Sequence, residues 1–227
     1  SDITPSSVDT PSVSTEQTHT GSREYEYIVH QLPDGTWVCD GESAQIASDS
    51  SPEPVIQAAI DDASSQHVYA AGTGDSVLID GDMTINQPVT CDKALHIEQH
   101  GWVTLNSDFL VFEPSDSSIR GFHVELDAFD GQGISNGYIP LTFRTPSGND
   151  NAIRSGEVHM NGALNCGKYI HFDGNGAFIG DMDIYPPYAR GADIAFDHRG
   201  RAGLEGINYY GGSVWAARKT FYWTSDA

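Results

Sequence analysis

An all-β fold, a parallel β-helix preceded by a small β-hairpin and a short capping helix, is what this 227-residue sequence predicts. Three observations carry the expectation. One strand–turn–strand pattern recurs five times, its alternation gives each repeat a single apolar face, and each repeat is too short to close a core of its own.

The repeats are FLVFEPSDSSIRGFHVEL (109–126), PLTFRTPSGNDNAIRSGEVHM (140–160), YIHFDGNGAFIGDMDIY (169–185), DIAFDHRGRAGLEGINYY (193–210) and TFYWTSDA (220–227). Aligning them on Phe112, Phe143, Phe172, Phe196 and Trp223 gives spacings of 31, 29, 24 and 27 residues. A second strand follows 12, 15, 12 and 13 residues after the first four anchors, at Val124, Val158, Ile184 and Tyr209. Because successive strand residues face opposite sides, the anchors and Leu110, Leu141, Ile170, Ile194 and Phe221 are expected to point inward. Val111, Thr142, His171, Ala195 and Tyr222 are expected to point outward. Stacking such units at the strand spacing of about 4.8 Å buries a continuous core that no single unit has. The fifth repeat stops early, so a neighbouring subunit or further chain is expected to cover its incomplete rung.

Ahead of the repeats the chain changes character. Residues 1–22 are rich in Ser, Thr and Pro and read as a flexible attachment arm. In 23–51, two β-branched and aromatic runs flank Leu32-Pro33-Asp34-Gly35, a hairpin signal, and a polar linker follows from 41 to 51. Residues 52–227 form the β-helix, opened by a capping helix at 53–64 where Val55, Ile56, Ala59, Ile60 and Ala63 recur at helical spacing.

Composition narrows the setting. Thirty-two acidic against eleven basic residues give a net charge of −21, which excludes nucleic-acid binding through a basic surface. Only Lys93, Lys168 and Lys219 are lysines. Scarce Lys with abundant Asp matches a halophile, where molar salt screens the self-repulsion; an acidic mesophilic domain is the alternative. No run of apolar residues is long enough to span a membrane. Cys39, Cys91 and Cys166 lack ligand spacing and read as buried thiols, with one disulfide at most. No metal or other cofactor is expected. The N-terminus lacks the basic and apolar regions of a signal peptide, which favours a chain used without classical export over one trimmed after it.

Candidate chemistry falls in two places. Asp173 and Asp197 follow their anchors in adjacent repeats, and with His198 they form the acid/base set this chain would use if it were an enzyme; turn-forming Asp is the competing explanation. Asp181 and Asp183 with Asp173 are a possible calcium set, against plain surface carboxylates. The outward side of the second strands carries His123, Glu157, Asp183 and Asn208 in one ladder and Glu125, His159, Tyr185 and Tyr210 in the next. Glu157, His159, Asp183, Tyr185, Asn208 and Tyr210 therefore form a face suited either to glycans or to packing against another subunit.

The stretch VIQAAIDDASSQHVYAAGTGDSVLIDGDMTINQPVTCDKALHIEQHG resembles the opening of right-handed parallel β-helix proteins of the pectate-lyase-like class, and REYEYIVHQLPDGTWVCDGESAQ is similar to a lead-in of their haloarchaeal members. The resemblance covers residues 23–227 and implies a right-handed coil. The class includes polysaccharide lyases, glycoside hydrolases, and viral tailspikes, fibres and capsid decorations. The galacturonase motifs Asn-Thr-Asp, Asp-Asp as a catalytic pair and Gly-His-Gly do not accompany the repeats, and the few cations supply no lyase base. The resemblance thus implies a virion structural protein of a halophilic archaeal virus, a fibre, spike or capsid decoration, rather than an enzyme. It implies a homo-oligomer, a trimer above all, contacts to other virion proteins through the arm, possible binding of host surface glycans, and a location on the virion in hypersaline surroundings. The alternatives are a secreted lyase or glycoside hydrolase of the same fold and, third, a surface adhesin.

Overall fold

The structure, a computed structural model, describes residues 25–65, 75–148, 150–200, 203–215 and 218–224. The expected arm at 1–22 and the final three residues lie outside them.

The hairpin forms as its turn chemistry requires. Strands β1 (Tyr27–Gln31) and β2 (Trp37–Asp40) pair antiparallel. Between them Gly35, at φ +90°, donates its N–H to the Leu32 carbonyl, and Asp34 Oδ1 accepts the Thr36 N–H at 2.9 Å. The expected linker at 41–51 is corrected: it contains β3 (Gln45–Asp49), antiparallel to β2. This edge strand reads QIASD, and its mostly exposed side chains leave no alternation to detect. Helix α1 (Pro52–Asp62) starts one residue and ends two residues before the expected 53–64. Val55, Ile56, Ala59 and Ile60 are its buried stripe. Lys93 Nζ donates to the carbonyls of Ile60, Asp61 and Ala63 at 2.6–3.1 Å, which satisfies acceptors that every helix C-terminus leaves open.

Short strands follow: β4 (Ser76–Asp80), β5 (Met83–Ile85), β6 (Val89–Cys91), β7 (His96–Leu105), β8 (Leu110–Phe112), β9 (Ile119–Arg120) and β10 (His123–Asp130). Beyond them lie β11 (Leu141–Thr145), β12 (Ile153–Leu164), β13 (Lys168–Gly174), β14 (Ile179–Tyr185) and β15 (Tyr188–Arg190). The last four are β16 (Ile194–Gly200), β17 (Leu204–Tyr209), β18 (Ser213–Trp215) and β19 (Lys219–Thr224). The chain passes alternately between two parallel sheets. One runs in the order β17-β14-β12-β10-β7-β4 and continues through β1 into the antiparallel β2 and β3; the other runs β19-β16-β13-β11-β8-β6.

Registers turn this topology into columns. In the first sheet Val77, Ile97, Val124, Val158, Ile184 and Tyr209 are successive partners, so the expected second-strand positions align. In the second sheet Cys91, Phe112, Phe143 and Phe172 align, and the ring centroids of the last three are 5.3–5.4 Å apart. The fourth repeat departs from expectation. His198, not Phe196, stands opposite Phe172, and Trp223 follows His198; Phe196 instead joins Leu110, Leu141, Ile170 and Phe221. The outward partner of His171 is correspondingly Asp197 rather than Ala195. A slip of two residues leaves every side chain on its face, so alternation cannot detect it.

Interior fit depends on size as well as polarity. Gly156 leaves room for the Phe122 ring, which packs between Phe112 and Phe143 with centroids 5.0 and 5.5 Å away. Toward the final circuit the cover thins, and Trp215, Phe221 and Trp223 are 55–60% exposed among the described residues.

Candidate functional site

The outward face of the first sheet is built by strands β7, β10, β12, β14 and β17. Parallel pairing places His123 beside Glu157, Glu157 beside Asp183, and Asp183 beside Asn208. The neighbouring column runs Glu98, Glu125, His159, Tyr185, and Tyr210 continues its ring stack. The six residues singled out as a binding or packing face therefore lie together on three consecutive strands and the residue that follows them. His96 and Glu98 extend both columns by one strand; no ligand spacing ties residue 96 to residue 123, and only the register reveals it.

Histidine and glutamate exchange columns between β10 and β12, so His123 stands opposite Glu157 and Glu125 opposite His159. His123 Nε2 lies 2.8 Å from Glu125 Oε1, and its Nδ1 lies 3.7 Å from Glu157 Oε2. His159 Nε2 lies 2.7 Å from Glu157 Oε1. Asn208 Nδ2 donates to Asp183 Oδ1 at 3.0 Å, and the charge of Asp183 pushes the Tyr210 phenol above its ordinary pKa.

The rings form one train. His159 stacks on Tyr185 at 4.2 Å with planes 9° apart, and Tyr185 on Tyr210 at 5.4 Å. His123 reaches His159 at 5.4 Å, and His96 meets His123 edge to face. Ring faces inside this train are occupied by their neighbours. What it presents to a ligand is a row of ring edges, phenol hydroxyls and carboxylates, which favours hydrogen bonding to hydroxyls along an extended molecule.

The acid/base set does not assemble as expected. Asp173 stands beside Arg199, and Asp197 beside His171. The Asp197 carboxylate is wholly buried under Lys168, His171 and Arg199, whose nitrogens approach Oδ2 at 2.6, 3.2 and 2.9 Å. Burial alone would raise its pKa, but hydrogen bonds from His171, Lys168 and Arg199 outweigh that and hold it well below the carboxylate range. Such a group is a fixed counter-charge, with no proton to give at neutral pH. His198 faces the core, where burial lowers its pKa to about 4 and Tyr209 Oη lies 2.8 Å from its Nε2. Of the possible calcium set, Asp181 and Asp183 are on β14 in one sheet and Asp173 is on β13 in the other.

Lys168 and Tyr222, absent from the sequence-derived candidates, complete the outer cluster around Asp197, with Lys219 Nζ 4.0 Å from the Tyr222 ring centroid. The three thiols are buried, and burial pushes Cys39 up to about 11 and Cys91 and Cys166 to about 12. No family model, curated protein or solved structure matches the chain.

Proposed function

We propose that the chain coils as a right-handed parallel β-helix and serves as a virion structural protein, a fibre, spike or capsid decoration of a halophilic archaeal virus, which binds host surface glycans. The observation that carries the binding role is the pair of outward columns kept in register across β12, β14 and β17, with Glu157, His159, Asp183, Tyr185, Asn208 and Tyr210 displaying polar edges along one rigid surface. An extended glycan matches that row in both shape and hydrogen-bonding capacity. The net charge of −21 supports a hypersaline setting, where surface carboxylates keep a protein soluble. Exposed Trp215, Phe221 and Trp223 support burial against a second copy of the chain in a homo-oligomer.

Hydrolase or lyase chemistry has less support, because Asp197 is locked in an ion-pair cluster and Asp173 is not its partner. The test is a glycan array probed with the full chain in molar salt. Retention on envelope-type glycans that Tyr185→Ala and Asp183→Asn reduce at least tenfold supports the binding role. Equal retention of the natively folded variants overturns it, as does release of reducing or unsaturated sugars.

A further inference from the structure

The ring train ends in a group that glycan binding does not use. One ligand atom from each of His96, His123 and Glu125 lies within 4.8 Å of the other two. The two imidazoles stand at 89° with centroids 4.8 Å apart. Two imidazoles sharing one tetrahedral ion have centroids roughly 5 Å apart when each metal–nitrogen bond is about 2.1 Å, so the ring spacing suits shared ligation, and the donor atoms close in as the ion binds. His123 Nε2 points at Glu125 Oε1, 2.8 Å away, and an ion seated between them would replace that contact.

His96 supplies a second observation. Its Nε2 is inaccessible to solvent and lacks a hydrogen-bond partner among the described residues. A buried imidazole nitrogen left open is costly unless something accepts its lone pair or proton. On its far side, His123 Nδ1 lies 3.7 Å from Glu157 Oε2, too far for a hydrogen bond, while Glu157 Oε1 is held by His159 Nε2 at 2.7 Å.

We propose that His96, His123 and Glu125 bind one divalent first-row transition-metal ion of the zinc type, with the fourth coordination position open to water or an oxygen ligand. Two imidazoles and one carboxylate select this class over Mg²⁺ and Ca²⁺, which take oxygen ligands, so abundant alkaline-earth ions do not compete. The site belongs to the fold rather than to a contiguous motif. Residues 96 and 123 meet because β7 and β10 pair in register. Its existence does not depend on whether the face binds glycans.

The test uses the full chain, stripped of metal and titrated with Co²⁺ and Zn²⁺ in molar NaCl containing millimolar Mg²⁺. The wild type is expected to bind one ion per chain, to develop the visible absorption of a four-coordinate Co²⁺ centre, and to unfold at a higher temperature with Zn²⁺ present. His96→Gln and Glu125→Gln, each with a native circular dichroism spectrum, should weaken binding at least tenfold, while His30→Gln leaves it unchanged. Wild-type chain that gives no Co²⁺ spectrum at one equivalent, or that loses the ion to Mg²⁺, overturns the proposal whatever the variants do. Unaltered affinity in both Gln variants overturns it as well.

Discussion

Phe172 stacks on His198, with ring centroids 4.7 Å apart and planes 10° apart, and His198 in turn stacks on Trp223 at 4.6 Å. An imidazole therefore continues a column of phenylalanines inside the core, and this gives the fold a pH dependence. Burial lowers the His198 pKa from 6.5 to about 4. Between those values the unfolded chain takes up a proton that the folded chain refuses, so stability falls as pH drops from about 6.5 toward 4 and levels off below. The shift corresponds to about 3 kcal/mol. Denaturant titrations in molar salt across this range should show the fall, and His198→Phe should flatten it.

Asp197 acts lower on the scale. Its folded pKa is depressed, so its contribution is present at neutral pH and is lost as pH falls below the ordinary carboxylate range. Asp197→Asn leaves Lys168, His171 and Arg199 clustered without their shared anion. Removing one partner from a buried ion cluster costs about 3–5 kcal/mol. Equilibrium unfolding at pH 7 measures it.

Column packing predicts a graded response inside the second sheet. Phe143 is fully buried between Phe112 and Phe172. Phe143→Ala should cost about 3–5 kcal/mol by denaturant unfolding, because the rings above and below cannot collapse into the space.

Two glycines on one strand separate close approach from ordinary strand chemistry. A Cβ at Gly156 would fall inside the Phe122 ring, whereas one at Gly162 would meet nothing nearer than 3.6 Å. Gly156→Ala should destabilise by about 1–3 kcal/mol or more through overpacking, while Gly162→Ala stays within about 0.5 kcal/mol of wild type. Thermal unfolding of the two variants side by side reads the difference.

Local pattern made much of this legible. Alternation identified Phe112, Phe143 and Phe172 as one column, and near-constant strand offsets aligned Val124, Val158, Ile184 and Tyr209 as well as the Glu157–Asp183–Asn208 ladder. Register within a face was less legible. Ile194-Ala195-Phe196-Asp197-His198 alternates whichever inward residue meets Phe172, and aligning aromatic with aromatic chose Phe196 although the longer-range pairing selects His198. Strand β3 escaped because an exposed edge strand carries no hydrophobic period. The burial of Asp197 escaped for a related reason: its partners Lys168 and His171 stand on the neighbouring strand of the sheet, 29 and 26 residues earlier.

The binding face depends on the register between outward residues of successive strands, and cysteine cross-linking tests that register most directly. Asp183 and Asn208 are register partners on β14 and β17, at a separation a disulfide spans, while Asp183 and Tyr210 are offset by two residues. The native thiols are buried and shifted away from reactivity. Under mild oxidation Asp183→Cys with Asn208→Cys should form an intramolecular disulfide, and Asp183→Cys with Tyr210→Cys should remain reduced. Cross-linking of the second pair and not the first would contradict the register and the binding face built on it.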